Sequence, residues 1–204
     1  IRLGRGNFPA ACGLLSDVSS LPFLTTRGCP YHCTYCASRL LQPVRAQRPV
    51  EACLDELRWI SAHLPTRHIA FYDDALLWDA DRHAKPLFEG IGREGLGFAF
   101  HAPNGLQVKA IDAELAVLMR RAKVQTIRLS VETTSARLSK RTGTDRKMGD
   151  LALAAKHLEK AGYRRNELDS YLLIGLPGQT SDEIQESVNP VAALGLRSHY
   201  SFFS

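Results

Sequence analysis

The chain has 204 residues, 45% of them hydrophobic, enough for one sizeable core. No apolar run approaches the ~20 residues of a membrane-spanning helix. Five cysteines, an odd number with three of them clustered, argue against a disulfide framework and for a reducing, cytoplasmic compartment. The net charge of +5 is spread over basic residues that occur singly and in pairs. It therefore reads as a solvated basic surface before it reads as a nucleic-acid footprint, with nucleic acid kept as an alternative.

The chain starts at Ile1 with no signal peptide and stops at Ser204 inside a stretch with strand character, so it reads as a piece of a longer protein. Residues 1–20, rich in Gly, Ser and Ala, form a lead-in with a spare thiol at Cys12. Residues 21–204 form the core domain.

Phe23 to Thr26 is the first expected strand. It runs into Thr-Thr-Arg-Gly-Cys-Pro-Tyr-His-Cys-Thr-Tyr-Cys-Ala-Ser at 25–38. Pro49 opens a helix in the position proline tolerates, with Val50, Cys53, Leu54, Leu57 and Leu64 on its apolar stripe. Cys53 lies on that stripe as a core residue. His68 to Asp73 is the second strand. A helix near Asp81 to Arg93 contains Pro86, which should kink it or delay its start. Gly97 to His101 is the third strand, ended by the turn signal Asn104-Gly105. Asp112 caps a helix carrying Leu115, Leu118, Met119 and Ala122. Thr126 to Glu132 is the fourth strand, and Met148 to Ala161 a helix stopped by Gly162. Leu168 to Ile174 is the fifth strand. Thr180 and Glu183 form a capping box for a helix to about Leu194, interrupted by Pro190. Tyr200 to Phe203 is the sixth strand.

Six strands alternating with five helices imply parallel strands joined by right-handed crossovers. In the fourth strand Ile127, Leu129 and Val131 alternate with Arg128, Ser130 and Glu132. A strand covered by helices on both faces would read as a continuous apolar run. The polar set instead points into a lumen, and the expected fold is α/β, a partial (β/α)6 TIM-like barrel. Sites in such folds lie at the C-terminal ends of the strands.

The noteworthy residues fall at those ends. Cys29, Cys33 and Cys36 form Cys-x3-Cys-x2-Cys with Tyr35 before the last thiol. Three thiolates hold a metal centre one ligand short of four. A structural zinc would need His32 or Cys12 as a fourth ligand, but no second ligand pair is present. A cubane with one open iron fits the triad best. Asp73-Asp74 is equally a helix-start signal and a carboxylate site for an ammonium group. Asn104 is a ligand contact only by position. Glu132, on the polar face of a core strand, needs a partner; a ribose diol and Arg128 are the two candidates. The glycines of Gly175-Leu176-Pro177-Gly178 would let the backbone approach a flat base.

From Leu21 onward the chain resembles the core of the radical S-adenosylmethionine (SAM) superfamily. Cys29-x3-Cys33-x-Tyr35-Cys36 matches the cluster motif. Arg-Gly-Cys-Pro-Tyr at 27–31, Tyr-Asp-Asp at 72–74, Asn-Gly-Leu at 104–106, Ser-Val-Glu-Thr at 130–133 and Gly-Leu-Pro-Gly-Gln-Thr at 175–180 resemble the subgroup that usually carries a cobalamin-binding domain. The resemblance implies a [4Fe-4S] cluster on Cys29, Cys33 and Cys36, with SAM chelating the fourth iron. It implies that Asp73 and Asp74 lie near the methionine amino group, and that Asn104 lines the site. Ser130 and Glu132 would contact the ribose, Ile174, Gly175, Leu176 and Pro177 the adenine, with Tyr35 packed near the adenine. Arg146 is placed at the methionine carboxylate. The implied chemistry is one-electron cleavage of SAM to methionine and a 5′-deoxyadenosyl radical, followed by hydrogen abstraction or methyl or methylthio transfer. It needs a reductant of flavodoxin or ferredoxin type, and cobalamin would come from a domain outside these residues. No general acid–base pair is implied, and the substrate is not specified. A non-catalytic zinc module and an RNA-modifying enzyme of the same superfamily are the alternatives.

Overall fold

Six strands lie side by side in the order of the chain, every neighbouring pair parallel: β1 (Ser20–Phe23), β4 (His68–Phe71), β5 (Ala99–Gln107), β6 (Val124–Glu132), β7 (Leu168–Ile174) and β8 (Arg197–Phe202). Two short strands, β2 (Thr26–Arg27) and β3 (Ala46–Gln47), pair antiparallel beside them. The helices are α1 (Ser38–Leu41), α2 (Val50–His63), α3 (Ala84–Glu94), α4 (Ala113–Arg121), α5 (Ala136–Thr142), α6 (Met148–Lys160) and α7 (Ser181–Ala193). This computed structural model describes residues 14–144 and 148–203. Cys12, most of the lead-in and Arg146 lie outside them. Among the described residues no helix is long and apolar enough to cross a membrane.

Sequential parallel order has a direct consequence. Right-handed crossovers that never reverse direction put all helices on one side of the sheet. The other side is left concave, as in a partial barrel, and the expected fold is the one observed. The apolar residues of alternate parity face the helices. Phe71 stacks on Phe100 with centroids 5.5 Å apart and meets Phe23 and Phe88 edge-on. Each such pair contributes about 0.5–1.5 kcal/mol beyond its burial. Cys53, Leu54, Leu57 and Ile60 of α2 close the layer, and burial pushes the Cys53 thiol up to about 11. The concave face carries the polar set. His68 Nδ1 lies 3.0 Å from His101 Nε2, His101 Nδ1 lies 2.8 Å from Thr126 Oγ1, and Arg128 donates to Pro103 O and Tyr171 Oη.

The structure corrects several expected boundaries. The first strand is Ser20–Phe23, displaced from Phe23–Thr26, because Thr25 and Thr26 are drawn off the sheet by a side-chain acceptor described below. Asn104-Gly105 is no turn. It lies within β5, at a register shift between Ala102 and Leu106. Pro86 delays α3, which starts two residues before it. Pro190 does not interrupt α7. A proline leaves the carbonyl four residues earlier without its donor, and here the Thr134 hydroxyl donates to Glu186 O at 2.9 Å. The sixth strand begins three residues earlier than expected, and α5 was not foreseen.

The capping box of α7 is present, and it reaches beyond its own helix. Glu183 accepts from Thr180 N, Ser135 Oγ and the Arg137 guanidinium, the last at 2.6 Å. The Arg137 guanidinium, then the Thr180 N–H and the Ser135 hydroxyl, hold Glu183 down to about 2, from an ordinary 4.5. A carboxylate depressed in the folded state stabilises it fully above the unfolded value and loses that contribution as pH falls through the folded one. Wild type is therefore expected to melt above Glu183→Gln at neutral pH. The gap should close as pH falls from about 4.5 toward 2, as followed by thermal unfolding across that range. A gap independent of pH would refute the assignment.

Candidate functional site

Successive side chains of a strand point to opposite faces, and the two aspartates that follow β4 divide accordingly. Asp73 continues the parity of Ile69 and Phe71 and is 2% exposed. Its Oδ1 accepts from Thr25 N (3.0 Å), Thr25 Oγ1 (2.8 Å), Thr26 Oγ1 (2.7 Å) and, at close range, Thr26 N. Burial pushes its carboxyl up in spite of these donors. Its Oδ2 has no hydrogen-bond partner among the described residues, nor has Nδ1 of the buried His83, which lies close enough to feel its charge. Asp74 takes the other face and is exposed. Its two oxygens accept from Gly28 N and Ser38 Oγ, both at 3.2 Å. One aspartate thus fastens the root of the cysteine loop from behind, and the other reaches the loop at the mouth.

The loop is closed at its neck by β2 and β3, with Arg27 opposite Ala46. Gly28 sits at φ +71°, where a Cβ would stand 3.0 Å from both Gln42 O and Val44 O, so only glycine fits. Inside the loop Cys36 N donates to Cys33 O (3.1 Å), and Cys36 Sγ donates to Ser38 Oγ (3.3 Å). Burial raises the Cys29 thiol; a hydrogen bond from the Tyr31 N–H opposes this, and Cys33, Cys36 and Asp74 add to the rise. The three sulfurs are therefore within electrostatic reach of one another. Among the described residues no three His, Cys, Asp or Glu side chains are gathered as a single metal ion requires. Three thiols on one loop are the donor type of an iron–sulfur cluster, which takes one thiolate at each of several irons. The donor set thus fits the expected cubane.

The remaining expected residues come from four further elements. Asn104 Nδ2 donates to Asp73 O at 3.0 Å, tying β5 to the end of β4. Gly105 packs so tightly on β6 that an added Cβ would lie 2.2 Å from Ser130 Oγ. Ser130 and Glu132 are 6% and 8% exposed. The register of β6 on β7 slips between them, Glu132 has φ +63°, and Thr133 N donates to Val131 O at 2.8 Å. That is a γ-turn of the rare positive-φ kind. After β7, Gln179 Oε1 accepts from Gly175 N (2.8 Å) and Leu176 N (3.2 Å), while its Nε2 donates to Leu173 O (3.1 Å). Leu176 is buried, and Ile174, Gly175 and Pro177 are at least partly open to solvent. Tyr35, within the cysteine loop, is half-buried.

Sequence reasoning missed the element that joins these parts. Thr34 N and Oγ1 donate to Thr142 O (3.0 Å) and Arg141 O (3.2 Å), at the end of α5. From the same helix Arg137 Nη2 donates to Gly178 O at 2.8 Å. A helix of seven residues therefore links the cysteine loop to the Gly175–Gly178 turn. Its only signals in sequence are Ser135, which accepts from Leu138 N as the N-cap, and Gly143 just past its end. Gly28 and Gln179 stand in the sequence motifs at 27–31 and 175–180, but their individual roles are visible only in the structure.

A family model described as the radical SAM superfamily matches residues 23–191. An uncharacterized methyltransferase of Pyrococcus horikoshii is 26% identical over 166 residues, which are 81% of this chain and 35% of that protein. The cytidylyl-2-hydroxyethylphosphonate methyltransferase of Streptomyces wedmorensis is 27% identical over 195 residues, 88% of this chain and 34% of that protein. The chain thus spans about a third of the length of these relatives. Among solved structures, the radical S-adenosylmethionine methyltransferase TsrM of Kitasatospora setae, with tryptophan and a SAM analogue bound, superposes with a TM-score of 0.77. It is 20% identical, and the match covers 90% of this chain and 36% of that one. The cobalamin-dependent S-adenosylmethionine radical enzyme OxsB superposes with a TM-score of 0.65 at 18% identity, over 84% of this chain and 26% of that one.

Asp73 is expected to act as the acceptor that holds the root of the loop. Asp73→Ala strands buried donors and should lower stability by about 2–3 kcal/mol. Asp73→Asn keeps Oδ1 as acceptor and should stay within about 1 kcal/mol of wild type. Urea unfolding of the three proteins measures both, and an Asn variant as unstable as the Ala variant would show that the negative charge is required.

Proposed function

Because the chain belongs to the radical SAM superfamily, we propose that residues 21–204 form the core domain of an enzyme that binds a [4Fe-4S] cluster and S-adenosylmethionine and cleaves the cofactor reductively. The observation that carries this reading is the position of the cysteine loop. Its three thiols lie beside Asp74 at the C-terminal mouth of a parallel sheet whose concave face is polar. When bound, such a cluster supplies one electron to the sulfonium of SAM, and the cofactor carries the difficult chemistry.

The chain's own residues bind and orient. Cys29, Cys33 and Cys36 hold the cluster. Asp74, on the open side of the mouth, accepts from the methionine ammonium group, while Asp73 is a positioning residue that fixes Thr25 and Thr26. Asn104 shapes the mouth by holding the Asp73 carbonyl. Ser130 and Glu132 take the ribose hydroxyls, and the backbone of Ile174, Gly175, Leu176 and Pro177, held by Gln179, takes the adenine, with Tyr35 beside it. The concave sheet restricts water around the reacting atoms.

Methyl transfer is the favoured outcome. It is supported by the methyltransferase names of both relatives and by the likeness to the methyltransferase TsrM. Cobalamin would then be bound by a domain outside these residues, and a protein reductant would supply the electron.

Anaerobic reconstitution of the full-length protein with iron and sulfide, followed by dithionite and SAM, is expected to give a coloured protein that forms 5′-deoxyadenosine or a methylated product. Cys33→Ala should lose the cluster spectrum. Glu132→Gln should keep the spectrum and weaken SAM binding about tenfold, the loss of ~1.4 kcal/mol. A colourless protein holding zinc that Cys33→Ala does not release would end the enzyme reading in favour of a zinc module.

A further inference from the structure

The contacts proposed for the cofactor lie at the upper end of the concave face, and the middle of that face holds a different set of groups. In register across β6, β7 and β8 stand Ser130, Tyr171 and His199, and one pleat lower Arg128, Asp169 and Arg197. The lower row has two arginines and one aspartate. Asp169 Oδ1 accepts from Arg197 Nε at 2.8 Å, while its Oδ2 stands 3.8 Å from Arg128 Nε, beyond hydrogen-bond reach. The acid is thus committed to Arg197, and Arg128 has no hydrogen-bonded carboxylate among the described residues.

Arg128 is half-buried and held from one side. Both of its hydrogen bonds leave from Nη1, to Pro103 O (3.1 Å) and Tyr171 Oη (2.9 Å), and the Tyr171 hydroxyl itself donates to Pro103 O (2.9 Å). The guanidinium lies 5.5 Å from the centre of the Tyr171 ring. These contacts fix the guanidinium and leave its Nε–Nη2 edge unused; Nε is buried with no hydrogen-bond partner among the described residues. Tying β5 to β7 takes Nη1 alone. The other edge is the fork that matches two oxygens of a carboxylate or a phosphate. A second donor stands beside it. The His199 ring meets Tyr171 edge-on at 4.7 Å and makes no hydrogen bond among the described residues.

We propose that Arg128, with His199 beside it, is a specificity-determining subsite, and that the substrate is a small molecule bearing a terminal oxyanion, a carboxylate or a phosphate. The inference rests on the SAM reading of the mouth and adds the class of molecule acted on there. Arg128 lies two residues, about 7 Å of strand, below Ser130, where the ribose is proposed to bind. An oxyanion seated on the fork therefore directs the rest of the substrate up the concave face toward the reacting atoms. Bidentate binding also fixes its orientation, which is what presenting one carbon to a reactive group requires. A substrate lacking the anion would leave the guanidinium edge unpaired, and a site built to pair a polar group rejects the analogue without it.

The test titrates full-length protein, reconstituted with iron and sulfide, with propionate, inorganic phosphate and propionamide, the neutral counterpart of propionate, by calorimetry. Wild type is expected to bind at least one oxyanion, and propionamide at least about tenfold more weakly, a gap of ~1.4 kcal/mol. The tighter oxyanion identifies the group the substrate carries. Arg128→Gln should lose at least about tenfold in oxyanion affinity, again ~1.4 kcal/mol, and leave propionamide unchanged. Asp169→Asn removes the acid beside the fork and should tighten oxyanion binding about threefold, a gain that a damaged fold does not produce. Wild type that binds neither oxyanion, or binds propionamide equally well, overturns the subsite. So does Arg128→Gln that binds as wild type does, or Asp169→Asn that binds more weakly. The SAM reading is tested apart, by cleavage with dithionite. Its failure in a wild type that still binds oxyanions overturns the substrate role and leaves Arg128 as an anion site without radical chemistry.

Discussion

One buried oxygen holds the site together. Asp73 Oδ1 accepts from both backbone and hydroxyl of Thr25 and Thr26, and so fixes the point where the chain leaves β1 for the cysteine loop. A loop of this length has no core of its own. Its shape depends on where its two ends are pinned, and the cost of ordering it is met by those anchors. The first anchor is Asp73, the second the β2–β3 pair, and the third the bonds from Thr34 to the end of α5. Breaking the first frees the other two to move together. The carboxylate is buried, so its hydrogen bonds are strong for the same reason that its charge is disfavoured.

The pair Asp73-Asp74 shows what sequence patterning can and cannot resolve. As a sequence it is two equal carboxylates at a strand end. Period-two geometry separates them: Asp73 shares the parity of Ile69 and Phe71, and Asp74 that of Ala70 and Tyr72. That division was legible, since the alternation of β4 continues past its last paired residue. What could not be read was the distant partner. Nothing local to residues 72–74 announces that the acceptor serves Thr25 and Thr26, 48 and 47 positions away. The sheet order, the cysteine loop and the capping box of α7 were legible because each is carried by local spacing. The straight course of α7 past Pro190 was not, because the donor that replaces the missing N–H comes from Thr134.

The same distinction explains α5. Two turns of helix with two buried residues give no amphipathic stripe to detect. Its role is set by its ends rather than its face. One end receives Thr34 of the cysteine loop, and Arg137 near its start reaches Gly178 and Glu183. The cysteine loop and the Gly175 turn follow the first and the fifth strands of the six-stranded sheet, so the curvature of the sheet alone would not fix their separation. A short rigid strut between them does.

Glu132 then raises a question of energy. Its φ of +63° places a side chain with a Cβ in the left-handed region, and the bond from Thr133 N to Val131 O closes a tight turn around it. Such a residue costs about 1–3 kcal/mol, and glycine at this position would remove most of that cost. The surrounding structure maintains the turn: Thr133 Oγ1 accepts from Ser135 N and lies 3.2 Å from Ser187 Oγ, which in turn accepts from Thr134 N. The register slip after Ser130 also means that Glu132 no longer follows the alternation of Arg128 and Ser130; a bulge re-aims the side chain it carries. A fold that uses a bulge, a strained turn and two buried hydroxyls to hold one carboxylate at the mouth of its sheet is spending stability on the carboxylate, not on the turn. This is the physical ground for the proposal that Glu132, rather than the more exposed acids of the surface, contacts S-adenosylmethionine directly.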